Sequence, residues 1–387
     1  MHSSIANKNY ALGMVVITKV DVISLRIPMK VPVKIANGPA RNFMDTILVR
    51  IHTNKDIEGI GETQAWRRQG SGEVPAGILS VIRDLFTPLL VGRSPFDIAS
   101  IMQSLEQASW HSLYAQAAIS DALFDLQGKL LGLPVYELLG GKCRNGLQAC
   151  AVLFIKPTIE QTIDGAVEFY ERGFRSFTIK VGINLDIDIK TISALRERLG
   201  SEVIIRVDAN AGMDIDSAKS MLQKLSPYDL DAAEQLLPIW DINGMSTLAR
   251  QVTTPMMADE SLATEHDLIA LILQNACSVI HTKIGKNGGI WGLRKLWTIA
   301  AAAGMRIYPG NHPSTSIATL AVMHLGVSWP TPLLDGAFAV GSETLEGDVI
   351  RDPIQMQGST LIIPEAPGLG FELNEDSLRE FHHPLQV

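Results

Sequence analysis

Five residues constrain this chain more than any others: Lys180 in FTIKVG, Asp208 in IIRVDAN, Glu234 in DAAEQLLP, Asp259 in MMADESL and Lys283 in HTKIGKNGG. Each closes a short apolar, β-branched or Met-rich run, and neighbours in the series are separated by roughly one strand-plus-helix unit. A parallel sheet closed into a barrel points the C-terminal end of every strand at one rim. The spacing therefore predicts a single pocket in which three carboxylates sit between two lysines. Crowded carboxylates need a cation, and hard oxygen donors with nothing soft nearby select Mg²⁺, one per subunit. Lysines on opposite sides of such an ion can take a proton from the carbon beside a bound carboxylate and return one from the other face.

The 387 residues are enough for a barrel plus an added domain. A net charge of −8 without basic clusters excludes nucleic acid as a partner. No apolar run is long enough to span a bilayer, and MHSSIANKNYALGMVV lacks a signal-peptide pattern, so the expectation is a cytoplasmic protein without a membrane partner. Cys143, Cys150 and Cys277 are odd in number and have no metal-type spacing, which reads as buried thiols.

The texture divides the chain into an α+β capping domain over 15–142, a barrel over 143–348 and a C-terminal segment over 349–387 that packs on the cap. The cap opens with an alternating strand, Val15 to Ile27, that Pro28 ends; strands at Asp45–His52 and GIGETQAW complete an antiparallel meander. Helical patterns follow at Ala76–Leu89, Pro95–Ser109 and Leu113–Leu131, the last apolar on nearly all sides and hence buried. Beyond Leu147, strand and helix alternate. The expected strands are Ala149–Phe154, Ser176–Val181, Val203–Val207, Ala232–Glu234, Met256–Ala258, Val279–Lys283, Arg306–Tyr308 and Pro332–Asp335, and the helix from Thr158 opens on a Thr-x-x-Gln capping box. Eight strands with intervening helices make the fold class α/β, a (β/α)7β TIM-like barrel.

The VYELLGG, VDAN, EQ, ADES and KIGKNGG motifs, in that order behind a capping meander, resemble the enolase superfamily, and within it the muconate lactonizing enzyme subgroup of the mandelate racemase/muconate lactonizing enzyme family. The resemblance implies that Asp208, Glu234 and Asp259 bind Mg²⁺, that Lys180 and Lys283 are the acid/base pair, and that the protein is a homo-oligomer acting on a small-molecule carboxylate. There are departures from the pattern: Thr178 replaces the first lysine of a Lys-x-Lys, His312 has no counterpart, and Asp335 stands at the eighth strand with Leu333 where dipeptide epimerases have a second acid. Thr178, Asn210, His312, Asp335, Trp66 and Arg67 are the candidate substrate contacts, with Arg41, Phe43 and Arg68 also on cap loops. Lys286 is placed to hydrogen-bond a metal ligand, and His281 shares a strand face with Lys283. The implied chemistry is abstraction of an α-proton through an enolate, with racemisation or epimerisation of an amino-acid or proline-type derivative as the leading outcome. Dehydration of a hydroxy acid such as a 3-hydroxyproline, cycloisomerisation of a muconate-like acid, and a metal-independent Schiff-base lyase are the alternatives.

Overall fold

The computed structural model describes residues 15–35, 39–64 and 72–385. An antiparallel meander, β1 (Ile17–Val33), β2 (Arg41–Thr53) and β3 (Glu58–Gln64), opens the chain in the order β1-β2-β3. Pro28 does not end β1, contrary to the sequence expectation. It lies on an edge strand at the start of a register shift, where a sheet tolerates a residue without an N–H. Helix α1 covers 75–90, with its middle turn, Val81–Phe86, wound as a π-helix. α2 (Ile98–Ala108), α3 (Leu113–Leu131) and the short α4 (Val135–Leu138) follow. Every residue of α3 from Tyr114 to Gly128 is buried. Two glycines of β3 let this helix lie directly on the sheet, since a Cβ on Gly61 would stand 2.0 Å from the Ala118 carbonyl oxygen.

β4 (Gly146–Gln148) leads into seven parallel strands and their helices: β5 (Ala151–Leu153), α5 (Ile159–Glu171), β6 (Ser176–Lys180), α6 (Leu185–Leu199), β7 (Ile204–Asp208), α7 (Ile215–Leu225), β8 (Ala232–Glu234), α8 (Ile242–Gln251), β9 (Met256–Ala258), α9 (Glu265–Leu273), β10 (Val279–Lys283), α10 (Gly289–Ala302), β11 (Arg306–Gly310) and α11 (Ser316–Ser328). Strands β5 to β11 pair in chain order. Thr158 caps α5 by accepting from the Gln161 N–H at 3.2 Å.

The eighth strand is irregular and lies later than Pro332–Asp335. Its bonds run from Leu334 N to Ile307 O (2.9 Å) and Ala337 N to Pro309 O (2.9 Å) on one side. On the other side, Gly336 N donates to Gln148 O (2.8 Å) and Cys150 N to Gly336 O (2.7 Å). Pro330 and Pro332 carry no N–H, so pairing begins only beyond them. Cys143 is likewise exposed rather than buried and Cys277 is half-buried, while Cys150 is inside.

Two acids of the cap grip the barrel. Asp121 Oδ1 and Ser120 Oγ of α3 accept from Ile290 N (2.8 Å) and Trp291 N (3.0 Å), capping α10. Gly289 makes this approach possible, because a Cβ there would lie 2.6 Å from Asp121 Oδ1. Glu62 of β3 does the same for α11, accepting from Thr315 N (2.9 Å) and Ala318 N (3.1 Å). After α12 (Gly341–Thr344), β12 (Met356–Gln357) and β13 (Thr360–Ile362) form a small sheet with β4. α13 (Glu375–Phe381) then returns to the meander, where Glu375 meets Arg50 at 2.7 Å. No helix among the described residues is long and apolar enough to cross a membrane.

One buried histidine gives the fold a pH dependence. His324 of α11 accepts from the Tyr136 N–H through Nδ1 at 3.1 Å, and burial pushes its pKa down to about 4. The folded state thus binds this proton less readily than the unfolded chain. The stability contribution is complete above the ordinary value of 6.5 and is lost as pH falls toward 4, at most about 3 kcal/mol. Thermal midpoints measured from pH 7 to 4.5 should fall less steeply in His324→Asn, which can accept the same N–H and does not titrate.

Candidate active site

The register brings the five strand-end residues together. Lys180 is level with Asp208, and Asp208 with Glu234, on adjacent strands. Asp259 follows β9, and Lys283 closes β10. In barrel order β6 is the second strand and β10 the sixth, so the two lysines stand on opposite sides of the rim. Lys180 Nζ donates to Asp208 Oδ2 and Lys283 Nζ to Asp259 Oδ2, while Lys286 Nζ reaches Asp259 Oδ1 at 2.7 Å. His281 Nδ1 is 2.7 Å from Glu234 Oε1. Asn210 donates from its backbone to Asp208 Oδ1 (2.7 Å) and from Nδ2 to Asp208 Oδ2 (3.1 Å) and Glu260 Oε1 (3.2 Å). Gln235 Oε1 accepts from Asp259 N and Ser261 N, both at 3.1 Å, tying the loop after β8 to the one after β9. Asn210, Ala211 and Gln235 all have positive φ, a strained backbone concentrated at the rim.

Lys180, Asp208, Asn210, Glu234, His281 and Lys283 line a cavity of about 500 Å³, together with Thr178, His312 and Phe338. Residues 17–140 of the chain match the family described as mandelate racemase/muconate lactonizing enzyme, N-terminal domain, and residues 161–377 match the enolase C-terminal domain-like family. The chain belongs to the enolase superfamily. It is 31% identical to the N-succinyl-L-Arg/Lys racemase of Bacillus cereus, covering 94% of this chain and 97% of that one. It is 33% identical to muconate cycloisomerase 1 of Pseudomonas putida, covering 87% and 90%. The structure of the muconate lactonizing enzyme of Pseudomonas fluorescens complexed with muconolactone superposes with a TM-score of 0.89 at 31% identity, over 95% of this chain and 99% of that one. This member of the superfamily is an enzyme of its muconate lactonizing subgroup, whose relatives are racemases, epimerases and cycloisomerases.

Electrostatics in the cavity are dominated by burial. It pushes the Asp208 carboxyl up to about 6 and that of Glu234 up to about 7, with neighbouring carboxylates adding to the effect. Burial acts the same way on Asp259, but Lys283 and Lys286 outweigh it and hold this carboxyl well below its usual range. Burial alone would lower both rim lysines; the neighbouring acids outweigh it and raise the pKa of Lys180 and Lys283. Glu234 Oε2 is buried and has no hydrogen-bond partner among the described residues. Carboxylate oxygens of Glu234 and Asp259 lie within 4.8 Å of each other and of a His281 ring nitrogen. A set of hard oxygens with one unsatisfied buried carboxylate atom fits a small divalent cation. His281 acts on that set indirectly, by orienting Glu234.

The remaining sequence candidates divide. Thr178 faces the cavity, but its hydroxyl is shared with Tyr308 Oη (2.9 Å) and Cys150 Sγ (3.4 Å). Below that layer, Arg206 stacks on the Tyr308 ring at 4.8 Å and pairs with Asp231. Asp335 does not reach the cavity. Because Ala337 is level with Gly310 at the rim, Asp335 falls toward the N-terminal end of the strands, where its carbonyl accepts from Arg206 at 3.4 Å. Arg41 and Phe43 are outside the cavity lining, and Trp66, Arg67 and Arg68 lie outside the described residues. The Tyr308 and Cys150 contacts had no sequence signal beyond their inward positions on barrel strands.

Proposed function

We propose that the enzyme abstracts the α-proton of a carboxylate substrate with Mg²⁺ held by Asp208, Glu234 and Asp259, and that Lys180 and Lys283 exchange roles as base and acid in racemising or epimerising an amino-acid or proline-type derivative. The observation that carries this reading is the pair of lysines on opposed strands, Lys283 buried and Lys180 nearly so, with all three carboxylates on or directly after the strands between them. A substrate carbon placed between the two lysines can lose a proton to the one that is a neutral amine and gain one on the other face from the one that is an ammonium. The charge of a Mg²⁺ held by the three acids would lower the pKa of the lysine that acts as base. When bound, Mg²⁺ supplies the positive charge that an enolate needs. Asn210 and His281 keep the Asp208 and Glu234 carboxylates oriented. Lys286 stays on Asp259, so that acid keeps a cationic partner while Lys283 changes protonation. A Schiff-base reading leaves the three acids without a task.

Proton NMR in D₂O with Mg²⁺, over L- and D-proline analogues, hydroxyprolines and N-acylated amino acids, is the test. The expected result is loss of the α-proton signal in at least one compound, abolished by EDTA and restored by added Mg²⁺. Exchange that persists in EDTA would sink the metal reading, and borohydride trapping of substrate on a lysine would favour the lyase instead. Product signals separate inversion from loss of water.

A further inference from the structure

We infer that the substrate carries a long apolar arm, housed in a groove that runs from the lysine pair through the barrel wall to helix α5 and is kept open by Gly165. The inference deepens the proposed chemistry and takes the α-proton reading as its starting point. Three observations carry it.

The cavity that holds Lys180 and Lys283 does not stop at the rim: it continues without a break past Leu153 and Phe338 to Gly165 and Phe169 on α5. The wall is open there for a reason visible in the strand pairing. The eighth segment bonds at Gln148 and Cys150, and among the described residues it makes no backbone bond to β5 beyond them. Thr162, Gly165, Phe169 and Arg172, at spacings that share one face of α5, all line the groove, a stretch of about 15 Å at the helical rise. At its outer end, Arg172 pairs with Glu343 of α12 at 2.7 Å.

Gly165 is the informative residue. Glycine inside a helix is unfavourable relative to alanine. The usual structural excuse, a close neighbour, is missing here, because a Cβ at Gly165 would meet no atom within 4 Å. What it would enter is the groove. The lining is mainly apolar, with Met29, Val33, Phe154 and Val340 around the same space and Lys30, Lys156, Glu168 and Glu343 among its charged members, and at about 30 Å³ per water-sized group the whole cavity holds on the order of fifteen such groups. A compact acid leaves most of that volume empty. An aliphatic chain on a substituent of the reacting carbon fills it.

The test uses N-acetyl-, N-butanoyl- and N-octanoyl-alanine, in which the acyl chain is the only long substituent. Calorimetric binding and α-deuterium exchange are both measured with Mg²⁺ present. In the wild-type enzyme each added methylene should improve binding and kcat/KM by roughly fourfold until the groove is full. Gly165→Phe should abolish the gain for the octanoyl compound and leave the acetyl compound within about twofold, with Gly165→Ala intermediate. Chain-length-dependent binding that Gly165→Phe removes, without any exchange, would keep the groove and overturn the α-proton chemistry. Exchange that is indifferent to chain length would keep the chemistry and overturn the groove. An equal loss for every chain length in Gly165→Phe would also overturn it, as the mark of a merely structural position.

Discussion

Lys180→Ala and Lys283→Ala should each lower racemisation by about 10²- to 10⁴-fold, the usual contribution of a positioned acid or base, while each spares α-deuterium exchange in a different enantiomer. The two lysines sit on strands β6 and β10, across the rim from one another, so each reaches only one face of a carbon held between them. Without Lys180, the remaining Lys283 can still remove the proton it faces and return a solvent deuteron to the same side. That substrate exchanges without inverting, and its mirror image does not react. Lys283→Ala reverses the preference. The two deletions also differ in what they leave behind. Asp259 retains Lys286 at 2.7 Å when Lys283 is removed, whereas among the described residues Asp208 keeps the Asn210 donors and no cation when Lys180 is removed. Exchange of the isolated enantiomers, followed by NMR and chiral chromatography, decides the matter. If both variants lost exchange in the same enantiomer, the lysines would not flank the reacting carbon.

Those lysines were legible because a parallel barrel turns a linear spacing into a ring: a polar residue at the end of each apolar run has only one rim to occupy. The same logic failed at the eighth strand, where prolines displace the pairing and the register moves Asp335 away from the cavity. No local pattern encodes that register. Thr178 was correctly placed on the face of Lys180, but its partner Tyr308 is 130 residues away, so what replaces the missing lysine could not be read. Here it is a hydroxyl layer resting on the Arg206–Tyr308 stack. The acids that join the two parts were invisible for the same reason. Asp121 stands 169 residues from Ile290, and Glu62 stands 253 from Thr315. Gly165 belongs to a third kind of position, one whose meaning lies in the empty space beside it.

Glu62→Gln should destabilise the protein by about 2–4 kcal/mol, far more than an exposed surface acid costs. Both oxygens of Glu62 are committed. Oε1 accepts from Thr315 N at 2.9 Å and Thr46 Oγ1 at 2.9 Å, and Oε2 from Thr315 Oγ1 at 2.6 Å and Ala318 N at 3.1 Å. The hydroxyl donors can rotate, but the two backbone N–H groups cannot. Whichever way the amide is turned, its NH₂ meets one of them, leaving a buried donor unsatisfied at the start of α11 and removing a hydrogen bond to a charged acceptor. The damage falls between β3 of the cap and the barrel helix that follows the loop carrying His312, so the cap should loosen over the cavity as well. Glu58→Gln is the control: it sits on the same strand, partly exposed, and meets Arg50 at 3.7 Å and His52 at 3.5 Å, long surface pairs each worth less than about 1 kcal/mol. Thermal denaturation of the two variants should therefore separate them clearly. Equal midpoints would mean that the cap is held by the apolar contacts of α3 and that the Glu62 grip on α11 adds nothing measurable.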